Sequence, residues 1–140
     1  MEAAFFIICD EAYVKEGKLY IEGSYEVQIT QELPTVIPKC YFSGRIRHHV
    51  SEMGMETPLT IEIKDPGGKK IFEVHGTVPP FQPIAGSAST TFCLQINNLS
   101  FPTFGTYTIN LLTKTKKLME IPFFVVDVTK MVPPVVLSMN

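Results

Sequence analysis

From Ala3 to Val128 nearly every segment either alternates apolar and polar residues with period two or strings β-branched and aromatic residues together. No window holds an apolar stripe at helical spacing over three turns. Successive side chains of an extended strand point to opposite faces, so this pattern builds sheets and cannot cover one face of a helix. The chain is therefore read as all-β. At 140 residues with 45% hydrophobic content it has the length of one domain and enough apolar surface for a core.

The strands can be followed one by one. Ala3 to Cys9 reads as a first, largely buried strand ending at Cys9. Lys18 to Ile29 reads as a second, with Leu19, Ile21, Tyr25, Val27 and Ile29 on one side and Tyr20, Glu22, Ser24, Glu26 and Gln28 on the other. Gly23 falls on the apolar side, where a missing side chain marks a bulge, a bend or the close approach of other atoms. Pro34 and Pro38 bracket a connection, after which Cys40, Phe42 and Ile46 alternate with Tyr41, Ser43, Arg45 and Arg47, and Gly44 repeats the mid-strand glycine. Leu59, Ile61 and Ile63 lead into Asp65-Pro66-Gly67-Gly68, the clearest hairpin, since proline presets a turn and glycine accepts positive φ. The return strand, 69–76, turns Phe72 and Val74 inward.

Residues 77–88, with three prolines and a glycine, read as a loop or an irregular edge crossing. Strands at 91–96, 107–113 and 119–128 complete the set. About eight strands separated by turn signals predict a single antiparallel β-sandwich over residues 1–129, followed by an extended apolar tail, 130–140. Phe104-Gly105-Thr106-Tyr107 enters a strand as the glycine-x-tyrosine of a tyrosine corner does, where the phenol bonds to backbone upstream. Ile109 stands where antibody domains have cysteine and the chain has no tryptophan, so the expectation is an immunoglobulin-like topology without the antibody disulfide.

The same residues carry a family resemblance. An apolar first strand, Cys9-Asp10, then Gly17, Lys18, Leu19, Ile21, Gly23 and Tyr25, and finally Gly105 and Tyr107 before an apolar last strand, resemble small bacterial proteins of the DUF6941 family. The likeness covers roughly residues 3–128. It implies a β-sandwich fold and a bacterial or phage setting, and it brings no established activity.

Charge and cysteine usage narrow the function classes. Twelve basic and fourteen acidic residues give a net charge of −2, and Lys114-Thr115-Lys116-Lys117 is the longest basic run, so phosphate-driven nucleic-acid binding is not expected. The start has no positive region before its short apolar run, and no stretch is long enough for a spanning helix, so neither a signal peptide nor a membrane partner is expected. Cys9, Cys40 and Cys93 are odd in number and lie in apolar segments, which fits buried thiols in a reducing cytoplasm.

Chemistry-bearing residues are few. A carboxylate beside a thiol raises its pKa, so Cys9-Asp10 is expected to be a buried strand end and an outward acid ordering the next loop, not a nucleophile. On a strand His48 and His49 would point to opposite faces and could not chelate one ion with Glu52 or His75 unless the chain leaves the strand there, so no metal and no cofactor is expected. Nucleophile-elbow, phosphate-loop and Cys-x-x-Cys motifs are absent.

Two surfaces suit a binding role. Tyr20 on one strand, with Tyr41, Arg45 and Arg47 on the next, would form a face of interface-type residues if those strands are neighbours; otherwise they make ordinary cross-strand pairs. In the tail, Met131, Val132, Val135, Val136, Leu137 and Met139 surround Pro133-Pro134 and need cover from this domain or from another chain. The expectation is a non-enzymatic, cytoplasmic module that binds a protein partner or associates with itself through an edge strand or the tail. The alternative is a small-ligand or carbohydrate-binding protein using loop 77–88 with Phe81 as a stacking platform. A hydrolase with a histidine-based metal site ranks third.

Overall fold

A computed structural model of the protein describes residues 1–80 and 88–130. It is all-β. Nine strands lie among the described residues: β1 (Glu2–Lys15), β2 (Lys18–Ser24), β3 (Val27–Thr30), β4 (Thr35–Arg47), β5 (Thr57–Lys64), β6 (Lys70–Val78), β7 (Ser89–Phe101), β8 (Gly105–Leu112) and β9 (Lys117–Asp127). They form two sheets, one ordered β2-β1-β4-β7 and the other β3-β9-β8-β5-β6. Every ladder is antiparallel except β3 on β9, which is parallel and so departs from the all-antiparallel expectation.

Both sheets feed one hydrophobic cluster. Phe6, Ile8, Phe42 and Phe101 come from the first sheet, and Ile63, Tyr107, Ile109 and Phe123 from the second. Phe101 stacks on Phe123 with ring centroids 4.9 Å apart and meets Tyr107 edge-on at the same separation, so aromatic contacts tie the sheets together. The Asp65–Gly68 hairpin forms as expected: Gly68 N–H donates to the Asp65 carbonyl oxygen at 2.9 Å, and Asp65 Oδ1 accepts from the Lys69 N–H at 2.8 Å.

Several strand boundaries differ from expectation, and the strand expected at 91–96 extends over Ser89–Phe101. The segment 18–29 is two strands in two sheets, which raises the count from eight to nine. Gly23 takes φ +67°, and a β-carbon built there would lie 2.9 Å from Asp10 Cγ, so the glycine admits both the bend and the acid above it. Past the bend the alternation changes phase. Val27 and Ile29 are exposed, while Tyr25 packs its ring edge on Phe123 at 5.9 Å.

The first strand does not end at Cys9. It runs through Asp10 to Lys15, so Asp10 is a strand residue and not a loop-ordering acid. Pro38 lies inside β4 instead of closing a connection. The β1 ladder on β4 stops at Tyr41, and across from Pro38 the β7 residue Asn98 adopts φ +55°; a proline, having no N–H, is accommodated at such an irregular point. Gly44 answers to space: a β-carbon there would stand 2.7 Å from the Phe5 carbonyl oxygen and 2.8 Å from the Phe92 ring.

Candidate functional site

Strand alternation turns one row of each first-sheet strand away from the core. On β4 that row holds Lys39, Tyr41, Ser43, Arg45 and Arg47, and their ladder partners on β7 are Asn97, Gln95, Cys93, Thr91 and Ser89. Tyr41 Oη donates to Gln95 Oε1 at 3.0 Å, and Gln95 Nε2 donates to Asn97 Oδ1 at 3.0 Å. Arg45 Nε donates to Thr91 Oγ1 at 3.3 Å while its guanidinium carbon sits 5.5 Å from the centre of the Phe5 ring. Lys39 pairs with Glu11 at 3.2 Å and lies 5.8 Å from the Tyr41 ring centre.

Tyr41, Arg45 and Arg47 thus share one face. Tyr20 does not join them, because β1 lies between β2 and β4. Its neighbour is Tyr13, directly across the hairpin, with rings stacked at 5.2 Å and 10° between planes. These are the cross-strand pairs that stabilise a sheet surface. Phe81 and the tail residues Met131, Val132, Val135, Val136, Leu137 and Met139 lie outside the described residues.

The candidate catalytic and metal residues are held apart. Cys9 is fully buried, its thiol donates to the Glu11 carbonyl oxygen at 3.3 Å, and its pKa is raised to about 11, first by burial and then by the charges of Cys93 and Asp10. Burial likewise lifts Cys40 to about 11. His48 is buried with Nε2 2.7 Å from Thr90 Oγ1. His49 faces solvent and caps the 3-10 turn Val50–Glu52: its backbone N–H donates to Glu52 Oε1 at 2.7 Å and its Nδ1 accepts from the Ser51 N–H at 3.2 Å. Glu52 also receives the N-terminal ammonium at 2.7 Å, and His75 is spent on Glu73 and Thr60 at 3.1 and 3.0 Å. Among the described residues no three His, Cys, Asp or Glu side chains gather as metal ligands.

The feature missed in the residue pattern is the edge of the first sheet. β7 is thirteen residues long, pairs with β4 on one side, and has no ladder partner on the other among the described residues. Its sequence, STTFCLQINNLSF, holds no Asp, Glu, Lys, Arg or Pro. Between Glu73 and Lys114 the chain has no such charge at all, a signal present in the sequence. Beside β7 runs an apolar cleft of about 330 Å³, walled by Phe92 and Leu94 from the first sheet and by Leu59, Ile61, Val74 and Val78 from the second.

Fold and surface together define a two-sheet, all-β protein with one shared core and an uncharged strand β7 that, among the described residues, forms a sheet edge. Residues 4–126 match the model of a family of unknown function, DUF6941, and the chain belongs to that family. No curated protein matches the chain.

Proposed function

We propose that this is an immunoglobulin-like β-sandwich of the cytoplasm that acts without catalysis, by binding another polypeptide chain along β7 and the adjoining face of β4. The observation that carries the reading is the thirteen-residue, uncharged and proline-free edge of β7. Sheet edges expose a row of backbone donors and acceptors, and proteins ordinarily blunt them with charges, proline or brevity. The other three edge strands among the described residues are blunted: β2 carries Lys18 and Glu22, β6 carries Lys70 and Glu73, and β3 has four residues. An extended segment added to an open edge gains main-chain hydrogen bonds, and Tyr41, Arg45 and Arg47 on the next strand are residue types that anchor interfaces. The immunoglobulin-like assignment draws support from Tyr107, whose hydroxyl bonds back to Thr103 at 2.8 Å.

The apolar cleft favours a second reading, a small apolar ligand held between Phe92, Leu94 and Val74 beside Thr77 and Pro79. A photo-crosslinking residue at Gln95, compared with one at Lys114, separates the two in the producing cell. Capture of a polypeptide at position 95 and not at 114 supports edge binding. A position 95 that captures nothing, with a small molecule retained by the protein in native mass spectrometry, transfers support to the cleft.

A further inference from the structure

We infer that the chain seated on β7 is a second copy of this protein, paired antiparallel about a two-fold axis at Cys93; this rests on the reading of β7 as a binding edge. Ser89 to Asn97 is the stretch of β7 that precedes the irregular residue Asn98, and Cys93 is its centre. Pairing about that centre sets Thr91 opposite Gln95 of the second copy and Phe92 opposite Leu94. Because every position of the stretch is uncharged, no like charges meet across the axis. The same strand presented to itself by a two-fold rotation is the closed, self-complementary arrangement that dimers use.

The apolar cleft beside β7 also suits a second copy. Phe92 and Leu94 lie on the side of β7 that faces the core, where they are half-buried and line the apolar cleft. A two-fold axis perpendicular to the sheet keeps the core-facing sides of both copies on one side of the joined sheet. The two clefts then lie next to each other, and their apolar walls leave water together. A foreign strand of unrelated sequence would satisfy the backbone of β7 and leave the cleft to find its own cover. A second copy does both.

Cys93 gives a direct readout. It is half-buried on β7, an edge strand among the described residues, whereas Cys9 and Cys40 are buried. Residues facing each other in an antiparallel pair are at a separation a disulfide can span. The purified full-length chain is therefore examined by sedimentation equilibrium and, separately, after oxidation with diamide, which takes up the two electrons and two protons released as the Cys93 thiols join. The expected result is twice the chain mass, a covalent dimer linked through Cys93, and no covalent dimer when Cys93→Ser is combined with Asn97→Cys. Cys93→Lys, which sets two ammonium groups face to face, is expected to sediment as a folded monomer, while Cys93→Ser alone remains dimeric. A monomer at all concentrations, or a dimer cross-linked through 97 instead of 93, overturns the inference. If the purified chain is monomeric while position 95 still captures another polypeptide in the cell, edge binding stands and the second copy does not. If position 95 captures nothing as well, both fall.

Discussion

The Tyr107 hydroxyl donates to the Thr103 carbonyl oxygen at 2.8 Å and accepts from the Thr103 N–H at 3.0 Å, closing the connection between β7 and β8 from within the core. The ring is fully buried against Phe101. Tyr107→Phe keeps that packing and leaves two backbone groups of Thr103 without the phenol. A loss of about 1–3 kcal/mol is expected in urea unfolding with the slope unchanged. An unaltered midpoint would show that the phenol contributes nothing to closing this connection.

Gly23 and Asp10 form a second coupled pair. Gly23→Ala is strained twice, by the left-handed backbone and by the Asp10 carboxylate above it. The backbone part alone costs about 1–2 kcal/mol. Asp10→Ala removes the carboxylate, so in a double-mutant cycle the alanine at 23 is expected to cost less in that background. Additive effects would contradict the contact.

How far the residues themselves disclose this structure depends on distance along the chain. The Asp65–Gly68 hairpin and the inward Phe72 and Val74 were legible because turn chemistry and alternation are local. Alternation carried through residues 24–26 puts Val27 and Ile29 on the side of Leu19 and Ile21, but the bend resets its phase there and both are exposed. Their strand is placed by a parallel ladder on β9, almost a hundred residues away, and no short-range pattern encodes that. Composition makes Tyr20 and Tyr41 candidates for one face, but β1 separates their strands, and strand order is again a long-range outcome. The uncharged run of β7 was in plain view. That it lies on an edge is visible only in the folded sheet.

Thiol reactivity divides the three cysteines. Burial holds both Cys9 and Cys40 at about 11, so at neutral pH each is protonated as well as enclosed. Cys93 is half-buried and is expected to react first with an alkylating reagent in dilute folded protein, with Cys9 and Cys40 modified only on unfolding. Peptide mapping after timed quenching checks this. Early labelling of Cys9 would reopen a chemical role for the Cys9-Asp10 pair.

His48 predicts an acid-sensitive fold. Its pKa is held below 6.5, chiefly by burial; Glu52 opposes that and the N-terminal ammonium reinforces it. The unfolded chain therefore takes up the proton first as pH falls. The stability contributed by neutral His48 is complete above 6.5 and declines below it until the folded histidine itself is protonated. Melting temperatures across this range should fall less steeply in His48→Gln. Parallel profiles for the two proteins would remove His48 as the source.

Binding along β7 is tested most directly by amide hydrogen exchange of the wild-type chain over a wide range of protein concentration. Peptides covering residues 89–97 are expected to become protected as concentration rises, while those from β2 and β6, edges already blunted by charge, keep a constant rate. Exchange in 89–97 that is independent of concentration, in a protein that remains monomeric and whose producing cell offers no polypeptide captured at Gln95, would contradict it.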